Sequence, residues 1–181
     1  IIVGGMANTM LRHTGIKVGK SICEHDCGSL IKEIIKNSNK YNCKITCPVD
    51  AVVSKNLKDM GKSKDINKID DDEMILDIGP KTIFSIKTII NNSNTVLWNG
   101  PAGYFENPNF QNGTKQILEI ISQKTKNDKI FSVAGGGETV AAINKFKKLD
   151  SFTFVSTAGG AFLEHLEGKT LPGIKALNQN V

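Results

Sequence analysis

The sequence predicts an α/β fold: a doubly wound, Rossmann-like, mostly parallel sheet with helices on both faces, truncated on its N-terminal side. Three observations predict it. Short β-branched runs alternate with segments of helical spacing, several of these runs pass straight into glycine-rich turns, and a helical pattern opens directly after each turn. The junctions are IIVGGMANT at residues 1–9, VLWNGPAGYFE at 96–106, FSVAGGGETVAAI at 131–143 and FTFVSTAGGAFLEHL at 152–166. In a parallel sheet joined by right-handed crossovers, all strand-to-helix turns fall on one edge, where ligands bind in open α/β sheets. The four turns are therefore expected to form one surface. Bare backbone N–H groups at helix starts suit an anion, and phosphate is the leading candidate.

Each element follows from its local pattern. Ile1–Val3 reads as the end of a strand whose beginning precedes the chain, so more sequence is expected upstream. Met6–His13 reads as a short helix, and Glu24–Lys36 as a second, with Leu30, Ile31, Ile34 and Ile35 at helical spacing. CKITCPVDAVVS reads as a strand broken by Pro48, which belongs at an edge or bend. KNLKDMGKSKDINKIDDDE is polar, carries charges of both signs and is expected to be a structureless surface excursion. MILDI predicts a strand and GPKTIFSIKTIINN a helix opened by Pro80. The regular alternation follows: TVLW, KIFSVA and SFTFVS as strands, with helices over PNFQNGTKQILEIISQ, ETVAAINKF and GGAFLEHLEG. LPGIKALNQNV reads as a tail, set off by Pro172 and Gly173.

Composition narrows the function classes. At 181 residues with 39% hydrophobic content the chain is the size of one ordinary domain with a real core. No stretch approaches the ~18 to 20 apolar residues of a membrane helix, and no signal segment opens the chain, so no membrane partner and a cytoplasmic setting are expected. The net charge is +5, but Arg12 is the single arginine, the lysines are scattered and aromatics make up 6%. A nucleic-acid binder would concentrate basic residues on one stripe, so no nucleic-acid partner is expected. Cys23, Cys27, Cys43 and Cys47 invite a zinc reading, but their x3 spacing is not that of a Cys-x-x-Cys knuckle, and reduced, partly buried thiols are the plainer reading.

Two familiar glycine fingerprints fail. After Gly135 and Gly137 the sixth position of a dinucleotide-binding motif is Val140, and no acidic residue follows at the required distance. TGIKVGKS and LEHLEGKT approach a Walker A loop, but Thr14 and Leu163 stand where the leading glycine belongs and neither joins a strand to a helix. What remains is more specific. In WNGPAGYFE, Asn99 is suited to a ribose or phosphate oxygen and Glu106 to a ribose hydroxyl; a simple turn beside a buried Trp98 fits equally well. In VAGGGET, Gly135, Gly136 and Gly137 leave amides open, Thr139 adds a hydroxyl, and Glu138 would face phosphate only with a divalent cation between them, which argues for Mg2+. Glu138 also fits as a helix-start acid complementing the dipole.

GGMANT, VGKSI, LDIGPKT, VLWNGPAGYFE, AGGGETVAAINKF and STAGGAFLEHLEGKTLPGIKAL occur here in an order and spacing that resemble phosphoglycerate kinases, specifically their nucleotide-binding carboxyl-terminal half. The resemblance covers the whole chain, residues 1–181, as an incomplete domain without the amino-terminal phosphoglycerate-binding domain. It implies reversible phosphoryl transfer from 1,3-bisphosphoglycerate to MgADP in glycolysis, with ADP/ATP and phosphoglycerate as partners, Mg2+ as cofactor and a monomeric full-length form. The isolated piece is expected to bind nucleotide without turnover. The resemblance further implies that Gly4, Gly5, Ile22 and Leu76 line the adenine slot. Asn99, Pro101 and Glu106 would hold ribose and phosphates, Gly135, Gly136, Gly137 and Thr139 the phosphate chain, and Glu138 the metal. Gly136, Gly137, Gly159 and Gly160 are the implied catalytic turns. The chain departs from the family where Glu138 replaces a common Asp, Ile22 a usual Leu, Val3 and Ile75 glycines, and Ala158 and Phe162 members of an STGGGAS run.

Overall fold

The computed structural model describes residues 1–178. They fall into two compact units, one of residues 1–92 with 101–120, the other of residues 93–100 with 121 onward.

The first unit begins with an extended segment rather than a strand. Ile1–Val3 makes one backbone bond, from Ile2 N–H to the Thr46 carbonyl at 2.9 Å, and helix α1 (Gly4–His13) starts immediately after it. Helix α2 (Gly28–Lys40) is shifted four residues past the Glu24 start that its apolar spacing suggested. The break occurs because Glu24–Cys27 folds as a local bend, in which the Cys27 thiol donates to Glu24 Oε2 at 3.0 Å. Strand β1 is confined to Asp50–Ser54; the stretch before it, including buried Pro48, forms no ladder.

The polar stretch 55–73 is ordered, contrary to the expectation of a structureless excursion. It contains β2 (Lys62–Asp65) and a 3-10 turn at Ile66–Lys68. Strand β2 pairs antiparallel with β1, and β1 pairs antiparallel with β3 (Met74–Ile78), giving the order β2-β1-β3. Lys64 explains why so polar a strand holds its place: its ammonium lies 2.7 Å from Asp70 Oδ2 and 2.8 Å from buried Glu73 Oε1, tying the strand to the loop before β3. Leu11, Val18, Ala51, Val53, Ile66 and Ile69 form a buried cluster of this unit, with Cys23 and Cys47 packed against it. Burial pushes the Cys47 thiol pKa up. The four cysteines are free thiols.

Helix α3 (Pro80–Asn91) follows β3, as Pro80 at its first position predicts. Its N-cap, Gly79, has no side chain, and its first amides are met by a buried carboxylate from β1 instead. Asp50 Oδ2 accepts from Lys81 N–H at 2.9 Å, and Asp50 Oδ1 accepts from Thr82 N–H at 2.8 Å and from the Thr82 hydroxyl at 2.6 Å. Helix α4 (Asn112–Lys126) is preceded by a separate 3-10 turn at Pro108–Phe110, so the helix expected from Pro108 begins four residues later.

The second unit holds the parallel sheet. Strands β4 (Thr95–Trp98), β5 (Phe131–Ala134) and β6 (Phe154–Val155) lie in the order β4-β5-β6, in parallel register. Trp98, Ser132 and Ala134 are buried on one side, while Leu97, Phe131 and Phe154 are exposed on the other. The buried side is the one expected to receive the crossovers, because strands neighbouring in sequence order place successive right-handed connections on the same face. Helix α5 (Gly137–Lys145) follows β5 and α6 (Gly160–Leu166) follows β6. The supposed tail continues as α7 (Pro172–Asn178); its last residues, 179–181, lie outside the described residues.

Replacing Asp50 with Ala would leave the Lys81 and Thr82 amides of α3 without their side-chain acceptor, the Thr82 hydroxyl keeping only the Asp50 carbonyl. We expect Asp50→Ala to lower the unfolding free energy by about 2 to 4 kcal/mol, read as a drop in the urea midpoint at unchanged slope.

Candidate functional site

The glycine turns of the second unit follow three adjacent parallel strands and so share one edge of that sheet. They are linked directly. Gly135 N–H donates to the Trp98 carbonyl at 3.0 Å, and Gly100 N–H donates to Thr139 Oγ1 at 2.6 Å, joining the turn after β4 to the first turn of α5. Thr139 is buried, with its hydroxyl oxygen engaged by the protein, whereas Asn99 and Glu138 are exposed.

Gly135, Gly136 and Gly137 differ in what surrounds them. A side chain at Gly135 would collide with the Phe162 ring, and its amide is already spent on Trp98, so this residue contributes close packing rather than a free donor. Gly136 has φ +90, a backbone conformation that favours glycine, and a side chain there would meet the movable end of exposed Asn99. Around Gly137 there is nothing within 4 Å of an added Cβ, and the same holds for Gly159 and Gly160. Helices α5 and α6 have no side-chain cap at their N-cap residues, Gly136 and Gly159. The first turn of α5 thus has no side-chain cap and has open space beside Gly137, an arrangement that suits an anion.

The first unit gathers the other predicted residues. A Cβ on Gly5 would lie 3.7 Å from Ile22 Cγ2, and one on Gly4 would lie 3.7 Å from the Pro101 carbonyl oxygen. Ile22 is 86% exposed, a large apolar side chain with no cover, and its carbonyl accepts from Asn8 Nδ2 at 3.1 Å. The loop carrying Ile22 is tied to β3 by Gly19 bridging Met74 and by Ile75 N–H donating to Ser21 Oγ at 2.7 Å. VGKSI is therefore a loop held beside β3, and it does not join a strand to a helix as a phosphate loop does. Leu76 is half-buried, and its carbonyl accepts from Tyr104 N–H at 2.8 Å, which brings the Pro101–Glu106 segment alongside. Gly4, Gly5, Ile22, Leu76 and Pro101 are thus linked in one neighbourhood, with Glu106 exposed at the end of the same segment.

Among the described residues no group of three His, Cys, Asp or Glu side chains is placed to hold a metal ion. Glu138 alone offers one carboxylate, so a magnesium ion there would complete its shell with phosphate oxygens and water, as this hard cation commonly does.

A family model described as phosphoglycerate kinase matches residues 1–169. The chain belongs to the phosphoglycerate kinase family. It is 46% identical over 181 residues to the phosphoglycerate kinase of Azorhizobium caulinodans, covering 99% of this chain and 46% of that protein. Against that of Rhodopseudomonas palustris it is 46% identical over 179 residues, covering 98% and 45%. The solved phosphoglycerate kinase of Coxiella burnetii superposes with a TM-score of 0.88 at 36% identity, over 96% of this chain and 44% of that one. The Pyrococcus horikoshii OT3 enzyme gives 0.70 at 27%, over 95% and 43%. The chain spans about half the length of the relatives it matches, and it shares their α/β fold with its parallel sheet. Among the described residues no helix is long and apolar enough to cross a membrane.

Asp77 and Thr114 escaped the sequence reading. Both are buried; Thr114 accepts from the Ala102 and Gly103 amides of the segment just described, and Asp77 from the Gly113 amide beside Thr114. The signal for Asp77 was available: a carboxylate inside the apolar strand MILDI has to find donors once it is buried. Burial pushes its pKa from 3.8 up to about 7, against the opposing effect of the Gly113, Ile78 and Asn112 amides. Because the folded-state value is the higher one, folded protein keeps a proton between pH ~4 and ~7 that unfolded chain has released. The stability contributed by Asp77 is therefore full below pH ~4, declines as pH rises through 7 and is flat beyond. Urea unfolding of Asp77→Asn beside the unaltered chain, from pH 4.5 to 8.5, should show the variant lacking that decline.

Proposed function

We propose that this chain is the nucleotide-binding half of a phosphoglycerate kinase. In the full-length protein it serves reversible transfer of a phosphoryl group from 1,3-bisphosphoglycerate to MgADP, giving 3-phosphoglycerate and ATP. The observation that carries the proposal is the open edge of the parallel sheet, where Gly137, Gly159 and Gly160 stand clear at the starts of α5 and α6.

The roles divide by chemistry. The Gly137 amide and those after it in the first turn of α5 donate to the phosphate chain, and the turn at Gly159 and Gly160 meets the oxygens of the group in transfer. Asn99 offers an amide side chain at the same edge, and the Thr139 hydroxyl holds the Gly100 turn in place while keeping its own proton for a phosphate oxygen. Gly4, Gly5, Ile22 and Leu76 supply an apolar surface for the adenine, and the exposure of Ile22 is what an unliganded wall would show. Pro101 and Glu106 face the ribose. Glu138 is the residue of this chain suited to hold a magnesium ion, which when bound would neutralise charge on the phosphates. Transfer needs little covalent help from the protein; it needs the two oxygens and the phosphorus held in line and away from water.

Because the chain spans about half of its relatives' length, we propose that taken alone it binds MgADP without turnover. The full-length enzyme is proposed to be a monomeric protein of the cytoplasm. Calorimetry with MgADP, set beside a coupled ATP-forming assay, tests both statements: binding with no ATP formed is expected of this chain, and no binding would defeat the proposal. Gly137→Val places a branched side chain in open space and should fold with nearly unchanged stability. It should weaken MgADP binding about tenfold by covering the amides of α5, the worth of one charge-assisted bond. An unchanged affinity would remove the phosphates from this turn.

A further inference from the structure

The segment Pro101–Glu106 is held on one side by a backbone carbonyl of β3 and on the other by a buried hydroxyl at the start of α4. From β3, the Leu76 carbonyl accepts from Tyr104 N–H at 2.8 Å. From the first turn of α4, the Thr114 hydroxyl accepts from Ala102 N–H at 3.0 Å and from Gly103 N–H at 3.4 Å. Asp77 sits where these two supports meet. Its Oδ2 accepts from Gly113 N–H at 2.7 Å and its Oδ1 from Ile78 N–H at 2.9 Å, while a side chain on either Gly103 or Gly113 would collide with the carboxylate. Asp77 is 1% exposed and Thr114 fully buried. Among the described residues the partners of the Asp77 carboxylate are the backbone amides of Gly113, Ile78 and Asn112.

We propose that Asp77 and Thr114 form a clamp that fixes the Pro101–Glu106 segment at a set height over β3, and thereby act as positioning residues for the nucleotide. The inference rests on the assignment of Pro101 and Glu106 to the ribose end of that nucleotide. Its physical basis is that a loop of this kind ordinarily wanders, because its amides are as well satisfied by water as by protein. Here the amides of Ala102, Gly103 and Tyr104 all have internal acceptors, which removes that freedom before any ligand arrives. The ordering cost is then met during folding rather than on binding, and affinity gains accordingly. The absence of side chains at Gly103 and Gly113 lets the carboxylate, the loop and the helix start approach closely, so that Asp77 bonds the helix start and Thr114, one residue after Gly113, bonds the loop.

The test uses Thr114→Val, which keeps the shape of the side chain and removes the acceptor, with Thr114→Ser as the variant that retains the hydroxyl, and Asp77→Asn as the second arm. Amide hydrogen exchange of the ligand-free chain reads the loop directly. Thr114→Val is expected to speed exchange at Ala102 and Gly103 about tenfold or more while β4–β6 stay protected, and Thr114→Ser to restore the slow rates. MgADP titration should show a loss of about tenfold for Thr114→Val and Asp77→Asn, and near-native affinity for Thr114→Ser. Folded variants that bind MgADP as the unaltered chain does, or in which exchange rises evenly through the whole unit, would overturn the clamp. Failure of the unaltered chain to bind MgADP would overturn the nucleotide assignment instead; the exchange rates at Ala102 and Gly103 would then still decide whether the loop is clamped.

Discussion

The first amides of a helix that follows a strand have no partner within the helix, and how each set is satisfied organises this chain. In the first unit the partners are buried carboxylates carried on strands: Asp50 of β1 serves α3, and Asp77 of β3 serves α4. A carboxylate in such a place is costly to bury and is stabilised only by the donors around it, so strand and helix hold each other in register. In the second unit neither α5 nor α6 has a cap bond from its N-cap residue. Helix α5 starts at Gly137 with open space around it and no cap from its N-cap residue. Helix starts closed by Asp50 and Asp77 are thereby fixed as scaffold, whereas the uncapped starts of α5 and α6 are the ones whose geometry suits an anion.

Much of this could be read from the sequence where the pattern was local. The apolar strands MILDI, TVLW and FSVA, Pro80 at the first position of α3, and the glycine turn before α5 each announce themselves within a few residues. What stayed hidden depended on partners distant in the chain. Lys62–Asp65 has no apolar face to mark it as a strand; it is one because β1 offers an antiparallel edge and Lys64 reaches Asp70 and Glu73. The antiparallel pairing of the first sheet was hidden for the same reason, since strand direction is set by connections and not by composition. Asp77 was passed over inside an apolar run, although a charge there is a demand for donors that only the folded chain could identify.

The same limit applies within the glycine turn after β5. Three identical residues in a row looked equivalent, and each was expected to face phosphate. Folded, they are distinguished by their neighbours: Phe162 leans on Gly135, Asn99 crowds Gly136, and Gly137 is clear. Phe162 is one of the positions at which this chain departs from the family's usual run of small residues, and its ring takes up space that a smaller side chain would leave open beside Gly135. The Gly135 amide beside that ring is bonded to the Trp98 carbonyl and is not a free donor.

The arrangement around Thr139 extends this reasoning. Its hydroxyl accepts from Gly100, and Gly100 is where the chain turns after β4, so the residue expected only to touch phosphate also holds two adjacent turns of one sheet edge together. A hydroxyl can accept and donate at once, and its remaining proton is directed by that same bond. A carboxylate at position 139 would accept from Gly100 equally well but would set a charge against phosphate, and an apolar side chain would leave the Gly100 amide unmet. A small hydroxyl-bearing residue meets the demand of the sheet edge and remains compatible with the phosphate role proposed for it.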